Sequence, residues 1–514
     1  MIAVLLLVGV CICGCMTSSA GDSKELVGKS GIPSMKEEID NIISQDKYQF
    51  STWGMMARDT DSGEVLLSMN GGELFTPGST TKVFTVATAL DVLGPDYRFV
   101  TPVYKADDNL ILVASGDLAM GGRAGPGDTL AFTNEDHVDA GAFGHCVLVE
   151  ADPLAGLEYL AEQVVASGVS AVGDVVIDDR LFREANLMDK GIVTPIVVND
   201  NLIDVTIMPV APGEPAEVDW RPKSSAYTIA NHVVTGAVGT EMSVLVPDYT
   251  GQQVIEVTGS VPADAEPVTL TSNVMVPSAF ARGLFIDALE NAGVAVDAPV
   301  TGSNPLGLLP EPGEYAEGSR VGELTSPPFS EYAKVTLKVS QNLYANCLLG
   351  IIAAHEGDDT VDAGLFIEGR YLESAGVDPD TLLLADGEGS IRNRISPLAG
   401  TAITTAVAGT GNYEFLKDAM PVFGVDGTLA TGAQPGDPGY GQIHAKTGTS
   451  VAADMKGRLF VYARGLLGYM TTENGNNVTF AIYANNIPAL ESMDDLFGVA
   501  GDVNDVAVAM YTYL

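Results

Sequence analysis

The chain has 514 residues, 46% of them hydrophobic and 18% charged, a balance that suits two or three well-cored domains and excludes a disordered chain. Acidic residues outnumber basic ones 67 to 26, for a formal net charge of −41. A surface this negative repels phosphate backbones and excludes nucleic acid as a partner; because the acids are dispersed, they read as solubility rather than as an acidic binding tail.

The N-terminus, MIAVLLLVGVCICGCMTSSAGDS, carries an apolar run from Ile2 to about Ile12. It is too short to span a bilayer and suits the core of a signal peptide, so the protein is expected to be exported. The run ends at Ile12-Cys13-Gly14-Cys15, which resembles a lipoprotein box, with Cys15 the lipidated residue and residues up to 22 a tether. No Lys or Arg precedes the run, and Cys13 stands where small residues are usual. A plain signal peptide or an uncleaved anchor therefore remains the alternative to a lipid anchor. Beyond this cluster only Cys146 and Cys347 remain, which make no disulfide framework; each is expected to be a small buried hydrophobe.

Next in the chain, SMKEEIDNIISQDKY places Ile39, Ile42 and Ile43 at helical spacing. STWGMMARDTDSGEVLLSMN reads as a hairpin around Asp59 to Gly63; the D-x-D-x-G there misplaces its glycine for a calcium loop and is a turn. In TPGSTTKVFTVATALDVLG, Pro77-Gly78 ends a segment, and Val83, Val86, Ala87 and Leu90 mark a helix with one buried stripe. From 102 to 322 the chain turns to short β-like runs rich in Val, Gly, Pro and Asp, with helices predicted in LAGLEYLAEQVVASGV and PSAFARGLFIDALENAGV. Helical patterning resumes at SPPFSEYAKVTLKVSQNLYANCLLGIIAAHE, and GRLFVYARGLLGYM and NNVTFAIYANN read as strands. The expected layout is a leader over 1–22, a first domain part over 34–101, an inserted mainly β module of one or two subdomains over 102–322, and a second domain part over 323–514.

Ser79 and Lys82 are three apart at the start of a predicted helix, so their side chains share a face. Backbone N–H groups and the helix dipole there favour an oxyanion, and a lysine with a lowered pKa could take the serine proton. Taken alone, the pair reads equally as a helix cap and a surface charge. Two further patterns follow in order: Ser340-Gln341-Asn342 opening an apolar run, and Lys446-Thr447-Gly448-Thr449 before a strand. S-x-x-K, S-x-N and K-T-G in this order form the signature of active-site-serine penicillin-binding proteins and β-lactamases. In that setting Lys446 is a second cation that keeps Lys82 partly neutral and can hold a substrate carboxylate. Gly448 leaves room for an extended peptide on the strand edge. Ser340 relays a proton to the leaving amine, and the Asn342 side chain binds a substrate amide.

The likeness extends beyond motifs. The chain resembles the D-alanyl-D-alanine carboxypeptidase/endopeptidase family of low-molecular-mass penicillin-binding proteins in ALDVLGPDYRFVTPVY, GVSAVGDVVIDDRLF, DGEGSIRNRISP and PVFGVDGTLA, and in the roughly 260 residues between Ser79 and Ser340. The resemblance implies an α+β fold: a β-lactamase/transpeptidase-like domain, antiparallel sheet with helices, interrupted by the long insertion. It implies Ser79 as nucleophile, Lys82 as base, Ser340 and Lys446 as catalytic partners, and Asn342, Thr447, Gly448 and Thr449 as substrate-binding residues. The oxyanion would lie on the N–H groups of Ser79 and Thr449. The implied substrate is a D-alanyl peptide such as a cell-wall stem peptide, with β-lactams as covalent inhibitors and no cofactor. A β-lactamase or esterase on the same scaffold, and a non-turnover penicillin-binding sensor or wall-binding protein, are the alternatives.

The sequence departs from that family where D-G-S-G is usual and Asp386-Gly387-Glu388-Gly389 stands, at Gln341 in place of the commoner Asp, and in a long stretch near residues 119–147. Arg392 reads as a structural ion pair or a helper for a substrate carboxylate. The five histidines, His137, His145, His232, His355 and His444, form no H-E-x-x-H, so no metal site is expected; His444 reads as structural. No G-x-S-x-G elbow, Walker motif or dinucleotide glycine pattern occurs.

Overall fold

The structure, a computed structural model, describes residues 27–28, 33–140, 146–186, 191–316 and 318–514. The expected leader, Cys15 and His145 lie outside the described residues. The fold is α+β.

Its main sheet has six strands, in the order Val27–Gly28, Val65–Met69, Thr52–Asp59, Asn477–Leu490, Leu459–Thr471 and Ile443–Ala453, every neighbour antiparallel. The predicted hairpin around Asp59 forms, and Asp59 closes its turn by accepting from Ser62 N at 2.8 Å. Thr52–Asp59 then pairs with Asn477–Leu490, so the two ends of the chain share one sheet. The central strand is apolar on both faces because both are covered. On one side Met35 and Ile39 of helix Pro33–Ile43 meet Val499, Val503, Val506 and Met510 of helix Met493–Tyr513. On the other lie helices Lys82–Val92, Asn342–His355 and Pro397–Ala408, packed through Phe84, Leu348 and Ile403. The sequence reading stopped short of the C-terminal helix, although Ser492 and Asp495 form a capping box at its start.

The middle region builds its own core. Val100–Ala106 pairs with Arg320–Thr325, so the strand that leaves the main domain and the strand that returns to it are neighbours. Asn109–Val113 and Val175–Asp178 complete that four-stranded sheet. Two three-stranded sheets follow, Val268–Asn273 with Leu202–Met208 and Glu217–Arg221, and Thr228–Gly236 with Val254–Pro262 and Ser243–Leu245. The two predicted helices appear as Ala155–Ala166 and Pro277–Ala292, and Leu157, Leu160, Phe280 and Leu284 bury against Val205 and Ile255. Both cysteines are free; Cys347 is buried as expected, but Cys146 is only half-buried. Among the described residues no helix is long and apolar enough to cross a membrane.

Candidate active site

The segment 76–82 is held from two sides. The Asn485 side chain clamps Thr76, accepting from its N at 2.7 Å and donating to its O at 3.0 Å. The helix expected to begin at Ser79 begins instead as a turn of 3-10 helix, Gly78–Thr81, before Lys82–Val92. Every residue from Lys82 to Leu90 is buried, so the expected single stripe is a helix enclosed all round. Ser79 lies inside that turn and is not its cap residue, which is Pro77; the Ser79 Oγ accepts from Lys82 Nζ at 2.9 Å. Lys82 is fully buried, which disposes of the surface-charge reading.

Two more acceptors surround Lys82 Nζ: Asn342 Oδ1 at 2.6 Å and the Glu388 carbonyl at 2.9 Å. Each of these oxygens can accept one N–H of the lysine side chain. The bond at 388 runs through the backbone, so glutamate in place of serine leaves it unchanged. Its loop is fixed by Asp386, which accepts from Gly389 N at 2.8 Å, Ser390 N at 3.1 Å and Asn393 Nδ2 at 2.7 Å. Gly389, at φ 103°, lies so close to the Gly78 carbonyl that no side chain fits. Arg392 stays more than half exposed and meets Asp386 only at 3.5 Å.

Ser340 and Asn342 stand where the predicted helical stretch breaks, between helices Phe329–Lys338 and Asn342–His355. Ser340 has a left-handed φ of 62°, uncommon for a residue with a side chain, and lines a pocket with Gln341, Asn342 and Asp200. Gln341 caps the second helix through Leu343 N at 2.9 Å and donates to Asp200 at 3.1 Å; Tyr344 OH donates to Asp200 at 2.7 Å. Asp200 belongs to a buried network from the middle region. Arg123 contacts Asp200 and Asp136, while His137 lies 2.8 Å from Asp200 and 2.8 Å from Asp204. Burial opposes charge on His137, but Asp204 and Asp200 outweigh it and raise its pKa to about 10. Asp136, His137 and Asp200 come within cation-binding distance of one another, yet the two carboxylates already bind the Arg123 guanidinium.

The third motif lies on Ile443–Ala453, the edge strand of the main sheet. Lys446 is fully buried and donates to the Thr447 carbonyl at 2.8 Å. Thr447 Oγ1 is 2.7 Å from Thr428 Oγ1. A Cβ on Gly448 would collide with the Pro77 carbonyl, so its smallness admits the turn that carries Ser79. That turn reaches Thr449: a Cβ on Gly78 would stand 2.8 Å from Thr449 N. His444 lies apart, half-buried with Nδ1 3.4 Å from the Lys417 carbonyl, and burial lowers its pKa.

Sequence reading missed Arg464. It is the cross-strand partner of Thr449 and donates to Thr449 Oγ1 at 2.7 Å. Its signal was a single charge inside an apolar strand, FVYARGLLGYM.

Comparison with known proteins places this arrangement in context. The family described as D-Ala-D-Ala carboxypeptidase 3 (S13) matches residues 35–499. The chain is similar to a D-alanyl-D-alanine carboxypeptidase of Actinomadura sp. (strain R39), 31% identical over 484 residues that cover 89% of this chain and 84% of that protein. It is 23% identical over 471 residues to D-alanyl-D-alanine carboxypeptidase DacB of Haemophilus influenzae, covering 86% and 87% respectively. The crystal structure of penicillin binding protein 4 (dacB) from Haemophilus influenzae shares the fold, with a TM-score of 0.67 at 20% identity over 92% of this chain and 99% of that one.

Proposed function

The chain belongs to the D-Ala-D-Ala carboxypeptidase 3 (S13) family and is a serine-type D-Ala-D-Ala carboxypeptidase, and from that premise we propose how its residues divide the work. Ser79 Oγ attacks the carbonyl carbon of the terminal D-Ala-D-Ala bond as its proton passes to Lys82 Nζ. The tetrahedral oxyanion is held by the N–H groups of Ser79 and Thr449. The C–N bond breaks as the proton held by Lys82 passes through the Ser340 hydroxyl to the departing amine, with Lys446 stabilising the relay by its charge; D-alanine leaves and Lys82 is again neutral. Water then cleaves the ester on Ser79 with Lys82 as base, restoring the serine. Asn342 and Thr447 orient the acyl and leaving portions of the peptide.

The observation that carries this reading is the 2.9 Å contact from Lys82 Nζ to Ser79 Oγ, with Asn342 and Glu388 carbonyls fixing the same nitrogen. The substrate is a stem peptide of the cell wall, and β-lactams acylate the same serine because their ring amide opens onto it. Such a substrate sets the enzyme to work outside the cytoplasm, with Cys15 as a lipid anchor. The test is a fluorescent penicillin, with the adduct weighed by mass spectrometry, beside release of D-alanine from a D-Ala-D-Ala peptide. Ser79→Ala is expected to lose the adduct and at least ~10⁴-fold in peptide turnover. A mutant that is labelled as fast as wild type would move the nucleophile elsewhere.

A further inference from the structure

Ser340 keeps a left-handed φ of 62°, a conformation that is costly for a residue with a side chain unless its surroundings hold it. The residue after it is fastened through backbone and side chain. Gln341 N donates to the Thr336 carbonyl at 3.1 Å, its Oε1 accepts from Leu343 N at 2.9 Å, and its Nε2 donates to Asp200 at 3.1 Å. Tyr344 OH donates to the other oxygen of Asp200 at 2.7 Å, so one carboxylate from the inserted region grips both the cap and the first turn of helix Asn342–His355.

Asp200 is itself fixed. It sits in the left-handed run Asn199 to Asn201, where the Asn199 and Asn201 side chains donate to the Leu202 and Ile196 carbonyls at 2.8 and 3.1 Å. Its carboxylate also meets Arg123 and His137. Burial opposes charge on Asp200, but Arg123 and His137 outweigh it and hold the carboxyl well below its ordinary range, so at neutral pH it only accepts. The partners are matched: a carboxylate at 341 would face the Asp200 carboxylate, whereas the amide of Gln341 donates to it. Arg123, Asp136 and His137, which set the charge around Asp200, come from the stretch near residues 119–147. Gln341 and that stretch are both places where the sequence departs from its family's pattern, and they meet at one side chain. Apolar packing would join the two regions at less cost than a charge withdrawn from water, and this charge ends on the second motif.

We propose that Asp200 is a positioning residue for the reaction: through Gln341 and Tyr344 it fixes Ser340 so that the serine hydroxyl gives its proton to the departing amine while taking one from Lys82. The C–N bond breaks in that step, the amine leaves neutral, and Lys82 returns to its neutral form. This assignment rests on Ser79 as nucleophile and Ser340 as relay.

The leaving group separates this role from simple docking. The test compares kcat/KM, which reports the steps through acylation, for an N-acyl-D-Ala-D-Ala peptide and for the thioglycolate thioester of the same N-acyl-D-alanine. An amine must be protonated to depart, whereas a thiol ionises near pH 8.5 or so, roughly the ordinary cysteine value, and a thiolate leaves without a proton. Gln341→Met and Tyr344→Phe each remove one bond to Asp200 and leave the buried charges as they are. Peptide kcat/KM is expected to fall roughly 10- to 100-fold in Gln341→Met and roughly 3- to 10-fold in Tyr344→Phe, with thioester kcat/KM falling less than about threefold in either. Gln341→Met also gives up the bond to Leu343 N, a loss that both substrates share and their ratio cancels. Asp200→Ala should show the same selectivity, and adding Gln341→Met to it should shift the ratio little further. Losses equal for peptide and thioester, or no loss, would make the carboxylate a docking contact and overturn the proposal; the variants at 341 and 344 decide this even where Asp200→Ala does not fold. A Ser340→Ala protein that loses peptide and thioester alike would instead overturn the relay. A Ser79→Ala protein that still acylates would overturn the nucleophile, again a separate signature.

Discussion

Lys82 and Glu368 show how burial decides what a single ionisable residue does. In the proposed mechanism Lys82 accepts a proton and so must be neutral, a form that the guanidinium of arginine does not reach. Lys82→Arg is therefore expected to fold, as judged by circular dichroism, and to lose about 10²- to 10⁴-fold in penicillin acylation at every pH. Glu368 sits behind the same helix, fully buried, accepting only from Thr85 Oγ1 at 3.2 Å, with its second oxygen unpaired. Burial raises its pKa to about 8 from an ordinary 4.5. The folded protein thus holds a proton that the unfolded chain releases, so this residue's contribution is complete below pH 4.5 and is lost as pH rises toward 8. Glu368→Gln should raise Tm at pH 8 relative to wild type and leave it level at pH 4; a Tm difference constant across that range would remove the proton from the account. At this scale the motifs were legible, because Ser79, Lys82, Ser340, Asn342 and Lys446 are defined by spacing along the chain. Arg464 was not, since its partner lies on the neighbouring strand and only the register of the sheet pairs them. A packing reason for Gly448 was not legible, because the Pro77 carbonyl that crowds it comes from far earlier in the chain.

Elements carry the site by their ends. The proposed nucleophile, Ser79, stands in the turn before one helix, Asn342 opens another, and the third motif runs along an edge strand. The middle region reaches this assembly through Asp200, which lies in a left-handed stretch, Asn199 to Asn201, and binds Gln341 and Tyr344. Asp200→Asn leaves Arg123 and His137 with less negative charge in a buried setting, for an expected loss of about 3–5 kcal/mol in denaturant unfolding. The loss should be smaller in Asp200→Asn/His137→Gln, where the buried imidazolium is also gone; additive losses would show the two residues uncoupled. Periodicity marked helices such as Ala155–Ala166 and Pro277–Ala292 and strands such as Leu459–Thr471 and Asn477–Leu490. The pairing of Thr52–Asp59 with Asn477–Leu490 could not, because hydrophobic alternation specifies a buried face and not which distant strand lies beside it. The C-terminal helix was readable from its capping box and from Leu496, Val499, Val503 and Val506, and was passed over because the apolar strands before it dominated.

For the whole molecule, charge is the governing term. A net −41 is carried by a chain whose proposed site gathers Lys82, Lys446 and Arg464, so the acidic surface surrounds a small basic centre. Self-repulsion among dispersed acids is screened as the Debye length contracts from about 30 Å at 0.01 M salt to about 8 Å at 0.15 M. Tm is expected to rise over that interval and then level off; a Tm that falls with sodium chloride would mean attractive ion pairs outweigh the repulsion.

Lys82 Nζ is bonded to groups 260 and 306 positions further along the chain, and the strand bearing Thr449 comes later still. With Ser79 as the proposed nucleophile, a growing polypeptide is expected to carry an inert serine until nearly all of it has arrived and packed. Covalent capture of a labelled penicillin would then serve as a timer for the last step of folding.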